Sequence, residues 1–399
     1  MTTGTVHDLA DDLSLIEGHH PQSLWEDPDL PTIGVYRRGP RLYLLDTGVG
    51  PEQRDAIRKV AARHDGLQEV VLLNSHGHMD HLGNNDVVTE LGVGTVRHYV
   101  PRDARAALDF AEFFRSMYAR GLPYFDYLRG LHLDPDRVAA LLRALGAGPQ
   151  LGTDDVAALG ARLDELGLAP AISPFVPSLV VDILLNTYPP VFPNIAQMVD
   201  YESLGPASEI RIGDTTWTGW TFTDEQGRPE VHALQSCGHA AGGLVFHIPD
   251  HRVLLLADET SSVPIWSDTV PANTIATVRR ALSLMDSGHV TTVCAGHRPM
   301  LPAEGDQARQ ALQGVISSGE EFATTVDAAV ARHPDGVTID DLYDELVASA
   351  DPRSTIALLV GLQFPVFSTF LKLTLLNHCL LSGFTEGVGA NGRPTFRAG

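Results

Sequence analysis

Three imidazoles and a carboxylate crowd into six positions, His76-Gly77-His78-Met79-Asp80-His81, directly after the apolar run EVVLLN (69–74). A continuous run of that kind reads as a strand buried on both faces. Neutral imidazole suits zinc, iron, copper and nickel, and a carboxylate adds charge to hold a second cation. In a tight loop the alternate side chains of His76 and His78 can converge on one ion, while Asp80 and His81 turn toward another. Gly77 and Gly83 supply the backbone freedom such a loop needs. The string therefore asks for a fold in which a core strand ends in a metal-binding loop.

The rest of the chain is patterned to build such a fold. TIGVYR (32–37) and RLYLLD (41–46) read as strands joined by an Arg-Gly-Pro turn, and a helix is expected over 51–64, where Ile57, Val60 and Ala61 share a face. Helical patterns over 101–119, 135–146 and 153–166 follow, with a Pro-rich apolar stretch at 172–193. Strand-like runs resume at 208–213, 215–222, 230–236, 243–249 and 251–258; a helix near 271–286 leads into HVTTVCA (289–295), and the remainder is mostly helical. This order predicts an α/β core carrying a long insertion and a C-terminal appendage.

Three further ligand candidates stand at strand ends. His239 follows Cys237-Gly238, Asp258 closes LLLAD, and His297 closes VCAG. Each taken singly also fits a capping or turn residue; only together with the first loop do they make a metal set. The other histidines, among them His98, His132, His247, His251 and His378, lack such a setting and read as surface or core residues.

DTG (46–48), HGHMDH (76–81), CGHAAGGLVFHIPDHRVLLLADE (237–259) and AGH (295–297) resemble, in order, the motifs of the metallo-β-lactamase superfamily. The resemblance covers roughly 30–100 and 205–300 and implies an αββα sandwich with the metals at one edge of two sheets. It implies one ion on His76, His78 and His239 and a second on Asp80, His81 and His297, with Asp258 bridging. Two departures stand out: Ala257 precedes the bridging Asp where the family usually has Gly, and Cys237 stands where a Pro often does. Cys237 and Cys294 are read as small buried residues or as redox-sensitive neighbours of the metals. The domain division that follows is a catalytic core of 1–100 and 205–304, a helical insertion of 101–204 as substrate lid, and a winged-helix-like helical region of 305–399.

Two adjacent divalent ions, zinc first and iron or manganese as alternatives, lower the pKa of a shared water enough to give hydroxide near neutral pH. The chemistry that follows is hydrolysis of a lactone, ester, thioester or amide, with Asp80 and Asp258 as the catalytic carboxylates and Asp80 returning a proton to the leaving group. No G-x-S-x-G elbow, phosphate loop or dinucleotide fingerprint competes. The resemblance leaves a di-iron oxidoreductase as the alternative and an RNA or phosphodiester hydrolase as a third reading.

Between His81 and His239 lie 157 residues, rich in aromatics: Phe110, Phe113, Phe114, Tyr118, Tyr124, Phe125, Tyr127, Phe175, Tyr188 and Phe192. These either form an apolar lid for a bulky small-molecule substrate or pack the insertion's own core. With 28 basic against 50 acidic residues the net charge is −22, which repels polyphosphate backbones, and no basic patch stands out to bind nucleic acid. The C-terminal region is accordingly expected to wall the pocket or to form a homodimer contact. Three unpaired-looking cysteines and an N-terminus without a signal-peptide pattern predict a cytoplasmic protein. The apolar stretch from Thr355 to Leu373, broken by Gln363, Pro365 and Lys372, predicts a buried helix or helix pair rather than a membrane span.

Overall fold

The computed structural model describes residues 3–20, 28–127, 190–192, 197–297, 302–361, 369–390 and 392–399, with scattered positions between 158 and 185. Two seven-stranded sheets lie face to face. The first takes its strands in chain order: β1 (Val6–Ala10), β2 (Leu13–Ile16), β3 (Ile33–Arg38), β4 (Arg41–Leu45), β5 (Glu69–Leu73), β6 (Thr95–Val100) and β7 (Met198–Asp200). The second runs in reverse order from β14 (Ala303–Glu304) through β13 (Thr292–Cys294), β12 (Val253–Leu255), β11 (Leu244–Ile248), β10 (Pro229–Gln235) and β9 (Thr215–Thr223) to β8 (Ser208–Ile212). Pairing is antiparallel from β1 to β4 and parallel from β4 to β7, while β12–β13 is the parallel pair of the second sheet.

Alternation along the strands sorts the core into layers. Tyr43, Leu45, Val71 and Leu73 point inward to meet Ala233, Leu244, Phe246 and Leu255 of the second sheet. Leu42, Leu44, Val70 and Leu72 point outward against Ile57 and Val60 of α1 (Pro51–Ala61). Strand β5 is apolar on both faces for that reason. On the far side, Leu234, Val245 and Leu254 are covered by Val278, Ala281 and Leu284 of the helix Pro271–Asp286 and by Leu312 and Ile316 of the helix Gly305–Ala331. The layers are αββα, as the resemblance implies.

Several expectations needed adjustment. The helical pattern of 101–119 is two pieces, a 3-10 helix at Arg102–Leu108 and α-helix Phe110–Gly121, split at Asp109. That residue leaves helical geometry, and its carboxylate caps the second piece by accepting from the Glu112 amide at 3.1 Å. The expected strand over 251–258 pairs only over Val253–Leu255, because Ala257 takes a left-handed φ of 45° and turns the chain out of the sheet. The pattern at 135–146 and Tyr188 lie outside the described residues, and 153–166 and 172–193 largely do.

The 27-residue helix Gly305–Ala331 starts on the second sheet and ends in a different core, where Phe322, Val326 and Val330 meet the helices Ile339–Ser349 and Thr369–Leu381. Phe110, Phe114, Tyr118, Phe125 and Tyr127 share that core. A buried polar knot pins it: Lys372 Nζ donates to Asp340 Oδ1 at 2.7 Å and to the Asp126 carbonyl at 2.9 Å, and the Asp126 amide donates to Asp340 Oδ2 at 2.9 Å. A two-stranded ribbon, β15 (Thr385–Val388) with β16 (Pro394–Arg397), completes the C-terminal region. The stretch 355–373 is a helix pair at its described ends, Thr355–Gly361 and from Thr369 onward. Among the described residues no helix is long and apolar enough to cross a membrane.

Candidate metal centre

Strands β4, β5, β10, β12 and β13 all stop at one edge of the sandwich, and the loops that leave them carry the polar residues. His76 follows β5, and His78 stands at the N-terminus of the single turn Met79–Leu82, which presents Asp80 and His81. The backbone freedom expected of Gly77 and Gly83 is not what the loop uses, since neither has a positive φ. Both are needed for close approach: a Cβ on Gly77 would stand 2.4 Å from the Ala104 carbonyl oxygen, and one on Gly83 would stand 2.4 Å from Val49.

All seven expected side chains converge, in two groups that share Asp258. His76, His78, His239 and Asp258 form one; Asp80, His81, Asp258 and His297 form the other, with the ligand atoms of each group within 4.8 Å of one another. Asp258 Oδ2 lies 3.3 Å from His239 Nε2, 3.7 Å from His76 Nε2 and 3.5 Å from His297 Nε2, while Oδ1 lies 3.0 Å from His81 Nε2. His297 Nε2 also lies 3.1 Å from Asp80 Oδ2.

A divalent cation fits this cluster on two observations. His76 Nε2 and His81 Nε2 are buried without a hydrogen-bond partner, and so is Asp258 Oδ1, although His81 Nε2 is close by and misaligned. Buried polar atoms are normally satisfied, and atoms aimed at a common point instead of at one another are what ligands to one ion require. The donor set of imidazole and carboxylate suits zinc, iron or manganese.

Electrostatics separate the two groups. Burial, reinforced by the neighbouring imidazoles of His81 and His78, pushes His76 well below the usual histidine range, and burial pushes His239 down to about 4. His81 and His297 go the other way: burial opposes their charge, but Asp258 with Asp46 and Asp80 around the first, and Asp258 with Asp29 beside the second, outweigh it. Burial likewise acts to raise Asp258, and the imidazoles of His297, His81 and His239 override it to hold the carboxyl well below its usual range.

Behind the ligands stand residues that sequence reasoning did not single out. Asp46 closes β4 with a φ of 62°, and its Oδ2 meets His81 Nδ1 at 2.8 Å. The same carboxylate accepts from the Ser75 amide and hydroxyl at 2.8 and 2.7 Å, and Ser75 Oγ in turn lies 2.9 Å from His76 Nδ1. Glu259 Oε1 accepts from the Gly238 and His239 amides at 2.9 and 3.0 Å and so shapes the His239 loop. Both acids sit inside the motifs that carried the resemblance, so their position was visible although their partners were not. Trp266 had no signal: its ring lies 5.1 Å from that of His78, and its Nε1 donates to His239 Nε2 at 3.2 Å.

Of the insertion aromatics, Phe113 reaches the site, 5.6 Å from the His78 ring, whereas its neighbours pack inward with the C-terminal helices. Part of the described insertion thus borders the candidate ligands, and part packs into a core shared with the C-terminal helices. The C-terminal helix Thr369–Leu381 walls the site from behind: Phe370 packs edge-on against Trp266, and Asn377 Nδ2 donates to the Pro264 and Ile265 carbonyls. Cys294 lies between the sheets with its thiol pushed up to about 12 by burial. Cys237, with a φ of 51° that a proline ring cannot adopt, bends the His239 loop differently from a Pro-bearing relative. His98, His247, His251 and His378 stay clear of the two groups, and His132 lies outside the described residues.

A family model described as the metallo-beta-lactamase superfamily matches residues 27–297, which span every one of these ligands. The chain belongs to that superfamily. It is a metallo-β-lactamase-fold enzyme of the hydrolase type. A beta-lactamase domain protein from Burkholderia ambifaria is similar in structure at a TM-score of 0.51 and 15% identity, covering 100% of this chain and 94% of that one. A metallo-β-lactamase family protein from Thermus thermophilus aligns at 0.46 and 16%, covering 98% and 100%. An inverting sec-alkylsulfatase from a Pseudomonas species aligns at 0.46 and 13%; the match covers 94% of this chain and 49% of the sulfatase. No curated protein matched the sequence. Identities this low speak to the fold alone.

Proposed function

We propose that this metallo-β-lactamase-fold enzyme hydrolyses a carboxylic acid derivative, a lactone, ester or thioester, whose acyl or leaving group is bulky and apolar. The observation that carries this reading is the pairing of two complete ligand groups across Asp258 with an aromatic wall of Phe113, Trp266 and, behind it, Phe370. Bound on those ligands, a pair of zinc ions supplies a water deprotonated near neutral pH and a Lewis acid for the scissile oxygen. His76, His78 and His239 would hold one half of the centre and Asp80, His81 and His297 the other, with Asp258 common to both groups. The aromatic wall excludes bulk water beside the first half and offers apolar area to a substrate. Asp80, at the rim of the second half, is the carboxylate placed to pass a proton to the leaving group. The lid is assigned to 101–204, and the three free cysteines fit a reducing, cytoplasmic setting.

The test is a panel of lactones, esters and thioesters graded from acetyl to aromatic acyl groups, with metal content measured alongside. Metal-dependent turnover that rises with acyl size, and that is lost in His76→Ala and His81→Ala, is expected. Iron-dependent oxygen uptake with no turnover on the panel would overturn the reading in favour of an oxidoreductase.

A further inference from the structure

A second carboxylate, from a part of the chain with no metal motif, stands behind His297. Asp29 Oδ1 lies 3.0 Å from His297 Nδ1 and 2.9 Å from His20 Nδ1. The described ends of the segment that carries it are held to each other, and one end is tied to the His297 loop. His19 and Leu30 exchange backbone hydrogen bonds of 3.1 and 2.7 Å, and the Thr32 amide donates to the Gly296 carbonyl at 2.6 Å, one residue before His297. The His20 side chain is buried, and its ring packs edge-on to that of His297 at 6.0 Å.

The two halves of the centre are thereby backed unequally. In one half His81 Nδ1 is hydrogen-bonded to Asp46 at 2.8 Å, and His297 Nδ1 has Asp29 at 3.0 Å, close by but out of hydrogen-bond alignment, leaving Nε2 as the ligand atom of each. In the other, His76 Nδ1 has only the Ser75 hydroxyl, and His78 Nε2 is buried with no hydrogen-bond partner among the described residues. A carboxylate behind a ligating imidazole fixes its tautomer and strengthens it as a donor. We infer that Asp29 is a positioning residue for His297 and that, with Asp46, it makes the Asp80–His81–Asp258–His297 half the tighter metal site. This rests on the metal-centre reading above.

The test is chelator competition on the full-length, cobalt-loaded protein, following cobalt per chain and the visible absorption, which differs between a three-imidazole and a two-imidazole ligand field. In the wild type two ions leave in separate steps, the last from the two-imidazole half. In Asp29→Ala that last step moves to about 10- to 100-fold lower chelator while the first stays in place. Asp29→Asn, which keeps an amide oxygen beside His297 Nδ1, restores most of it. Thermal melts of the metal-stripped variants match the wild type, which a purely structural role for Asp29 would not give. Unchanged release in Asp29→Ala, an equal shift of both steps, or a last ion held by the three-imidazole half would overturn the inference. A wild type that binds no cobalt would overturn the metal centre itself and this inference with it.

Discussion

Two histidines outside the metal site make the acid stability of this protein predictable. His232 on β10 faces His247 on β11 across the sheet, the rings 5.6 Å apart and within 5° of parallel. They are 8% and 2% exposed, and burial holds each at about 4. In the unfolded chain an imidazole titrates near 6.5. As pH falls below 6.5 the unfolded state takes up protons that the folded state refuses, so stability drops until the folded pKa is reached. Between pH 7 and pH 5 that linkage amounts to about 2 kcal/mol for each ring, about 4 kcal/mol for the pair. The perturbation is the double replacement His232→Gln with His247→Gln, which removes both titrations and leaves the metal ligands alone. Urea unfolding of wild type and variant at the two pH values gives the result as a difference of differences, in which every other titrating group cancels. The wild type should lose about 4 kcal/mol more than the variant. Equal losses would refute the reasoning, since the two rings would then have to accept protons in the folded sheet.

Three further outcomes follow from the site. Asp46→Asn turns an amide N–H toward His81 Nδ1, so the ring must carry its proton on Nε2, the ligand atom; metal affinity, read by chelator competition, falls about 10- to 100-fold. Trp266→Ala lowers kcat/KM for aromatic acyl substrates by about 10- to 100-fold and for acetyl substrates much less, which a two-substrate kinetic comparison checks. Ala257→Gly relieves a left-handed backbone that an L side chain disfavours, and raises stability by about 1 kcal/mol in a denaturant melt.

The residues that make up the centre were legible because the chemistry is local and the spacing is tight. His76, His78, Asp80 and His81 sit within six positions after a run that could only be a buried strand. The strand runs β3, β4, β9 and β10 were legible from their apolar patterns as parts of an α/β core, while the pairing of two sheets came from the resemblance to the superfamily. The edge strands β1 and β7 and the buried four-residue β2 were not: β1 and β7 are half-exposed, and all three are too short to show a period. Nor was the role of Gly77 and Gly83, since which backbone approaches a glycine is a property of the folded chain.

What the sequence determined by itself is the candidate ligand cluster at 76–81 and the α/β core, since both depend on residue type at short separation, with the remaining candidate ligands named by the resemblance. What the tertiary structure alone decided is what stands behind and beside those ligands. Asp29 and His297 are separated by most of the core, and Trp266 meets His78 from a loop whose backbone Asn377 of helix Thr369–Leu381 hydrogen-bonds. Hydrogen bonds and ring contacts of that kind depend on distance in space, and no spacing along the chain encodes it until the sheets have closed.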